Sequence, residues 1–320
     1  MSQDRGAFIG LDIGNTRLTV GVARWDGVLV HSAEHPAPSD EGAAAAVPRL
    51  IAMAEEACAA ARAQGHEPVA IGLGFGGPVD YERQATRRSF HSPGWEGLPL
   101  AEVFAERFRL PARLDNDANA GGLGEALFGA AKGFRSSLYV NVGTGIGGAI
   151  VIADDLHHGA TGVAGEIGHT VIDPDGPPCN CGKRGCTEAL ASGTAIARRA
   201  RAAGVRGASP AGPTGREVMA AAQQGDATCR EVVRAAANDL GLAIANAVSV
   251  LDPGIVVIGG GVAEAGDIWF QPLRESFARH AVSPPAQCTR LVPAGLGYHA
   301  GVLGAAALAI TAFEAGTRRG

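Results

Sequence analysis

The sequence predicts a two-lobed α/β fold built around a duplicated strand–turn–strand hairpin. The chain has 320 residues, more than one domain usually holds. Short apolar strands alternate with helical stretches along it. The segment GLDIGNTRLTVGV near the N-terminus returns as YVNVGTGIGGAIV in mid-chain, each an apolar strand, a Gly/Thr turn and a second apolar strand.

Residues 7–13, 17–24 and 27–32 read as successive strands, with Asp26-Gly27 as a hairpin signal. An alanine-rich helix is expected over 42–63, a strand over 69–75, a helix over 98–108 and a short strand over 112–114. A helix over 117–128 follows, then strands over 138–142 and 147–152. The Pro/Gly/Cys-rich stretch 173–187 reads as irregular, with helices near 193–203, 214–223 and 226–250 and a strand over 255–258. Residues 204–214 are the expected flexible loop. The stretch 235–250 is apolar almost all round, which suits a core helix better than a dimer face. A terminal helix near 300–313 is placed to fold back onto the first lobe, so the lobes are expected at 1–113 with 300–320, and at 114–299.

Composition excludes several classes. Apolar residues make up 46% and charged residues 18%, enough for a core and unlike a disordered chain. A net charge of -5 argues against a surface that neutralises nucleic-acid phosphate. The N-terminus has no charged region followed by a long apolar run, so no secretory signal is expected. No segment is expected to reach the ~20 apolar residues of a membrane span. Cys179, Cys181 and Cys186 crowd together while Cys58, Cys229 and Cys288 lie alone, which is not a disulfide framework. A cytoplasmic protein without nucleic-acid or membrane partners is the expectation.

The chemistry-bearing residues cluster at the turns. In the first hairpin Asp12, Gly14 and Thr16 offer backbone N–H groups, a hydroxyl and a carboxylate able to hold Mg2+ through water. Gly143, Thr144 and Gly145 repeat the arrangement, as clamping two phosphates of one nucleotide would require. Gly259, Gly260 and Gly261 follow a third apolar strand. Asp115, Asn116 and Asp117 stand between a short strand and a helix, where they suit N-capping and equally suit a carboxylate that takes a proton from an attacking hydroxyl. His169 with Cys179, Cys181 and Cys186 makes a closed His/Cys3 set of the structural Zn2+ type, with reduced thiols as the alternative. One nitrogen of a zinc-held His169 leaves the other for a ligand, and Glu166 and Glu188 flank the same loop, 169–188.

These segments, in order LDIGNTRLT, GLGFGGPVD, LDNDANA, VGTGIGG, GEIGH, CNCGKRGCTE and VIGGG, resemble the ROK family of repressors and sugar kinases. The resemblance runs from residue 8 to about 261, and its most specific part is GEIGH followed by the cysteine cluster. It implies the actin-like ATPase (ribonuclease H-like) fold with ATP in a cleft between lobes. Asp117 would be the general base, Gly77, Asn116, Glu166, His169 and Glu188 would address the sugar, and Asp12, Gly14, Asn15, Thr16, Gly143, Thr144, Gly145 and Gly259–Gly261 the nucleotide and Mg2+. His169, Cys179, Cys181 and Cys186 would hold structural zinc. A homodimer or homotetramer is expected.

The expected activity is ATP-dependent phosphorylation of a hexose, glucose first, with N-acetylmannosamine, N-acetylglucosamine or fructose as alternatives. A sugar-responsive, non-catalytic regulator is the other class. Departures from the family pattern are Asn15 for glycine, Arg17 for lysine, Gly76 for proline, His91-Ser92 where asparagine is common, and Asp115 for glutamate. Asparagine tolerates left-handed backbone angles better than most residues, so the turn is expected to survive the change at Asn15. The change at Asp115 is expected to matter little.

Overall fold

The computed structural model describes residues 6–38, 40–89 and 92–317, so His91 lies outside the described residues. The chain forms two compact units, residues 1–133 with 154–164 and 295–320, and residues 134–153 with 165–294.

In the first unit, β1 (Gly6–Ile13), β2 (Arg17–Ala23), β3 (Leu29–Pro36), β4 (Glu67–Phe75) and β7 (Ala112–Asn116) form a sheet ordered β3-β2-β1-β4-β7. The β1–β2 and β2–β3 pairs are antiparallel, and β4 and β7 add in parallel. Helices α1 (Ala43–Ala63), α2 (Leu100–Phe108) and α3 (Asp117–Leu127) belong to this unit, as does the two-strand ribbon β5 (Val79–Asp80) and β6 (Ala85–Thr86). Leu50, Leu73, Phe104 and Leu114 are buried between α1, α2 and the sheet.

The second unit repeats this order. β8 (Ser136–Val142) pairs antiparallel with β9 (Ile146–Ile152), and β11 (Ile255–Gly259) and β12 (Arg290–Pro293) add in parallel on the other side of β8. The short strand β10 (Asp155–Leu156) belongs to the first unit. Helices α4 (Thr187–Ala191), α5 (Gly193–Ala202), α6 (Gly215–Gln223), α7 (Ala227–Leu251), α8 (Asp267–His280) and α9 (Pro285–Cys288) complete the second unit. The apolar helix read at 235–250 is the core of α7: Ala237, Leu240, Ile244 and Val248 are buried, and a Cβ at Gly241 would crowd Ser276 of α8.

Three expectations change. The chain divides at Gly133, not at residue 113, because β7 hydrogen-bonds into the first sheet and α3 continues from it. Residues 204–214 are irregular but tied down: the Ala208 N–H donates to Glu217, and Thr214 and Glu217 form a capping box on α6. α8, α9 and β12 were not anticipated.

The last helix, α10 (Ala300–Thr317), with the turn before it, is long and apolar enough to cross a membrane, contrary to expectation. Its apolar surface is instead spent on packing. Val302–Ile310 is buried, and a Cβ at Gly10 or Gly72 would land on the α10 backbone. Glycines on neighbouring strands thus let helix and sheet backbones meet directly.

Candidate functional site

In the first unit the β1–β2 turn is closed by the Gly14 N–H, which donates to Arg17 O at 3.0 Å. The Ala37 N–H donates to Thr16 O at 3.1 Å, and the Gly76 N–H to Ile13 O at 2.9 Å. Asn15 and Thr16 are exposed. Asn15 has no positive φ, so the turn accommodates asparagine without needing the left-handed region. Asp12 sits on β1 opposite Gly74 of β4, its carboxylate packed against Gly301 at the start of α10. Burial, and then the nearby Asp117 carboxylate, push the Asp12 pKa up to about 7, with Arg17 opposing. A buried carboxylate raised by a neighbouring one is a place where a divalent cation would be favoured.

The β7–α3 junction holds the other predicted residues of this unit. Asn116 is the N-cap of α3 and accepts the Ala118 N–H on Oδ1 at 2.9 Å. Its Nδ2 donates to Gly77 O at 3.2 Å and to Asp117 Oδ1 at 2.9 Å. Asp117 Oδ1 also accepts the Ala118 N–H, at 2.9 Å, while Oδ2 faces the Gly76 backbone. A half-buried carboxylate at a helix N-terminus, with Oδ1 pinned and Oδ2 beside the Gly76 backbone, is suited to accept a proton. Capping and proton acceptance, alternatives in the sequence, coexist here.

Asp115 is 2% exposed and its Oδ2 lies 2.6 Å from His158 Nε2, while Oδ1 accepts the Asn116 N–H at 2.8 Å. It is a buried hub behind Asn116, a contact that its sequence position did not signal.

In the second unit the Gly143 N–H donates to Gly145 O at 3.0 Å across the β8–β9 turn, and Thr144 is exposed. The N-terminus of α5 grips the same turn: the Gly193 N–H donates to Gly143 O at 2.8 Å, and Thr194 Oγ1 to Thr144 O at 2.8 Å. Gly260 has φ of +85°, and a side chain there would strike the Val142 carbonyl, so this strand end requires glycine. Gly261 borders open space.

The cysteine loop brings His169, Cys179, Cys181 and Cys186 together, their ligand atoms all within 4.8 Å of one another. The Cys181–Cys186 Sγ distance is 3.6 Å, as is Cys179 Sγ to His169 Nδ1, close to the edge of ~3.8 Å set by tetrahedral Zn–S bonds. Burial, then the neighbouring thiols, push Cys186 up to about 12. A thiol so raised gives up its proton readily only to a cation, and the His/Cys3 donor set fits zinc. The other His169 nitrogen, Nε2, lies 3.8 Å from Glu166 Oε2, and the Glu166 side chain is exposed. Glu188 Oε2 accepts the Ile146 N–H at 2.9 Å and lies against Gly145.

Two clusters were not legible. Arg17 is held by Glu34 at 2.9 Å and by Tyr298. Glu125, fully buried, accepts the N–H groups of Ala130, Gly295 and Leu296 at 2.7, 3.0 and 3.0 Å. Tyr298, Gly295 and Leu296 come from the far end of the chain, beyond any local signal.

The ROK family model matches residues 8–312. Glucokinase of Streptomyces coelicolor is 35% identical over 322 residues, covering 95% of this chain and 98% of that protein. The ROK hexokinase structure from Thermus thermophilus has a TM-score of 0.84 at 37% identity, covering 98% and 100%. The ROK glucokinase of Streptomyces griseus, solved with glucose and AMPPNP, has a TM-score of 0.78 at 34% identity, covering 96% and 100%. The xylose repressor of Caldicellulosiruptor bescii is 28% identical, covering 97% of this chain and 80% of that protein.

Proposed function

The chain belongs to the ROK family, with its actin-like ATPase fold, and from that premise we propose that it is an ATP-dependent sugar kinase converting glucose to glucose 6-phosphate. The observation that carries this is the Asn116–Asp117 junction, where a carboxylate at the start of α3 is fixed through Oδ1 by Asn116 and the Ala118 N–H, with Oδ2 beside the Gly76 backbone. Similarity to glucokinases over almost the whole chain supports glucose as the acceptor.

Asp117 takes the proton of the sugar 6-hydroxyl as that oxygen bonds to the γ-phosphorus, and the bond from γ-phosphorus to the β–γ bridging oxygen breaks to leave ADP. Asn116, Gly77, Glu166, Glu188 and His169 are assigned to the sugar hydroxyls. Asp12, Thr16, Thr144 and Gly145 are assigned to the phosphates, and Gly259–Gly261 to the nucleoside. Mg2+, which Asp12 would hold through water, supplies charge neutralisation on the phosphate oxygens. His169 and the three cysteines would hold zinc, which would fix the imidazole and leave its other nitrogen for the sugar. A cytoplasmic homodimer or homotetramer belongs to the same proposal.

A coupled assay with ATP and a panel of hexoses and N-acetylhexosamines tests it. Glucose is expected to give the highest kcat/KM. A better N-acetylmannosamine, N-acetylglucosamine or fructose substrate replaces the sugar and keeps the reaction. ATP left unconsumed with every sugar, despite tight sugar binding, overturns the kinase in favour of a regulator, the class to which the xylose repressor relative belongs.

A further inference from the structure

One buried hydrogen-bonded pair in the first unit lies directly behind the proposed base. His158 and Asp115 have side chains 7% and 2% exposed, with Nε2 and Oδ2 2.6 Å apart. A carboxylate only accepts, so the imidazole N–H donates to it. The His158 ring stacks on Tyr81 with centroids 4.0 Å apart and planes 3° from parallel. The backbone holds the loop as well, since the Ala164 N–H donates to His158 O at 3.0 Å. The second oxygen of Asp115 accepts the Asn116 N–H at 2.8 Å and the Asn119 amide at 2.7 Å. Asn116 in turn donates to Asp117 Oδ1.

We propose that His158 is a positioning residue for Asn116 and Asp117, acting through Asp115. A buried carboxylate must be fully hydrogen-bonded, and loss of one partner leaves it to find another. With His158 on Oδ2, Oδ1 stays committed to the backbone N–H of the residue that caps α3 and to an amide one turn into that helix. Tyr81 fixes the plane of the ring, and hence the direction of the N–H. Without His158 the carboxylate is free to rotate, and the register of Asn116 and Asp117 loosens with it. Small displacements of a reacting group are costly, on the order of 10²-fold for about 1 Å.

The catalytic part of this inference rests on the kinase proposed above; the positioning part does not, so the test has two arms. His158→Phe keeps a ring on Tyr81 and removes the donor. His158→Gln keeps a neutral donor. Asp115→Asn combined with His158→Phe removes the buried charge that needed the donor. In the kinetic arm, His158→Phe is expected to lower kcat roughly 10- to 100-fold with the ATP KM within about two-fold of wild type, and His158→Gln and the double variant to recover much of it. In the second arm, hydrogen exchange at the Asn116 and Ala118 amides is expected to speed up in His158→Phe relative to amides in α7, and to slow again in the other two proteins. Wild-type protein inactive on every hexose would sink the kinase assignment alone, and the exchange arm would still decide the positioning role. Wild-type exchange at Asn116 and Ala118 in His158→Phe would overturn the proposal. So would His158→Gln and the double variant being as impaired as His158→Phe, since ring packing would then be the whole role.

Discussion

Glu188 Oε2 accepts the Ile146 N–H at 2.9 Å, so a residue assigned to the sugar also braces the second glycine hairpin. The same oxygen fills the space a Cβ would need at Gly145. Glu188→Gln keeps an acceptor for the Ile146 N–H, while Glu188→Ala leaves that N–H without one. The glutamine variant is therefore expected to keep its ATP KM and raise the sugar KM roughly 10-fold or more, as loss of a charged hydrogen bond does. The alanine variant is expected to raise both. Steady-state kinetics with each substrate varied in turn checks this, and equal behaviour of the two variants would remove the bracing role.

Asp117→Asn retains an oxygen that can accept the Ala118 N–H, so α3 is expected to fold as before. What it loses is the ability to take a proton. A fall in kcat of about 10²- to 10⁴-fold is expected, with sugar binding largely kept. Calorimetric sugar titration alongside turnover measures both, and near-wild-type turnover would show that the base lies elsewhere.

Asp12 carries a cost in the metal-free protein. Burial and the Asp117 carboxylate raise its pKa to about 7, above the ordinary carboxylate range. Between pH 4 and 7 the folded chain holds a proton there that the unfolded chain releases, so this residue's contribution to stability falls as pH rises through that window. Asp12→Asn removes the penalty. Metal-free Asp12→Asn is expected to melt above wild type at pH 8, by ~2–4 °C for each kcal/mol recovered, with the advantage shrinking as pH falls and gone below about pH 4. Activity is expected to fall in the same variant, a trade of function for stability. A melting advantage that did not change with pH would rule out titration of Asp12 as its cause.

What the sequence revealed and what it hid divide by range. Both hairpins, the Gly259–Gly261 run and the cysteine cluster are local, and each depends on backbone approach or ligand spacing that residue types announce directly. Asp115 and His158 are separated by 43 positions, and Glu125 reaches Gly295 and Leu296, so nothing in their neighbourhoods signalled either contact. α8 left a readable trace: Trp269, Leu273 and Phe277 repeat at helical spacing and are buried, but Pro272 inside the helix masks the pattern. The division at Gly133 was hidden because a strand–helix junction looks the same whether it joins two lobes or closes one sheet.

The cysteine loop yields the last prediction. Burial and its neighbours hold the Cys186 thiol at a pKa of about 12, so at neutral pH this thiol keeps its proton in the metal-free loop. A bound cation replaces them, and its binding energy becomes folding energy for the loop carrying His169. Purified protein is therefore expected to contain stoichiometric zinc. Removing it with a chelator, or replacing Cys186 with serine, is expected to lower Tm and to weaken sugar binding about 10-fold or more, because the His169 ring loses its fixed orientation. Metal analysis, thermal melts and sugar titration before and after chelation measure these effects. Restoring zinc should recover both properties in the wild type but not in the serine variant. If the purified protein held no zinc and chelation changed neither melting nor sugar binding, the four residues would be reduced thiols beside an ordinary histidine.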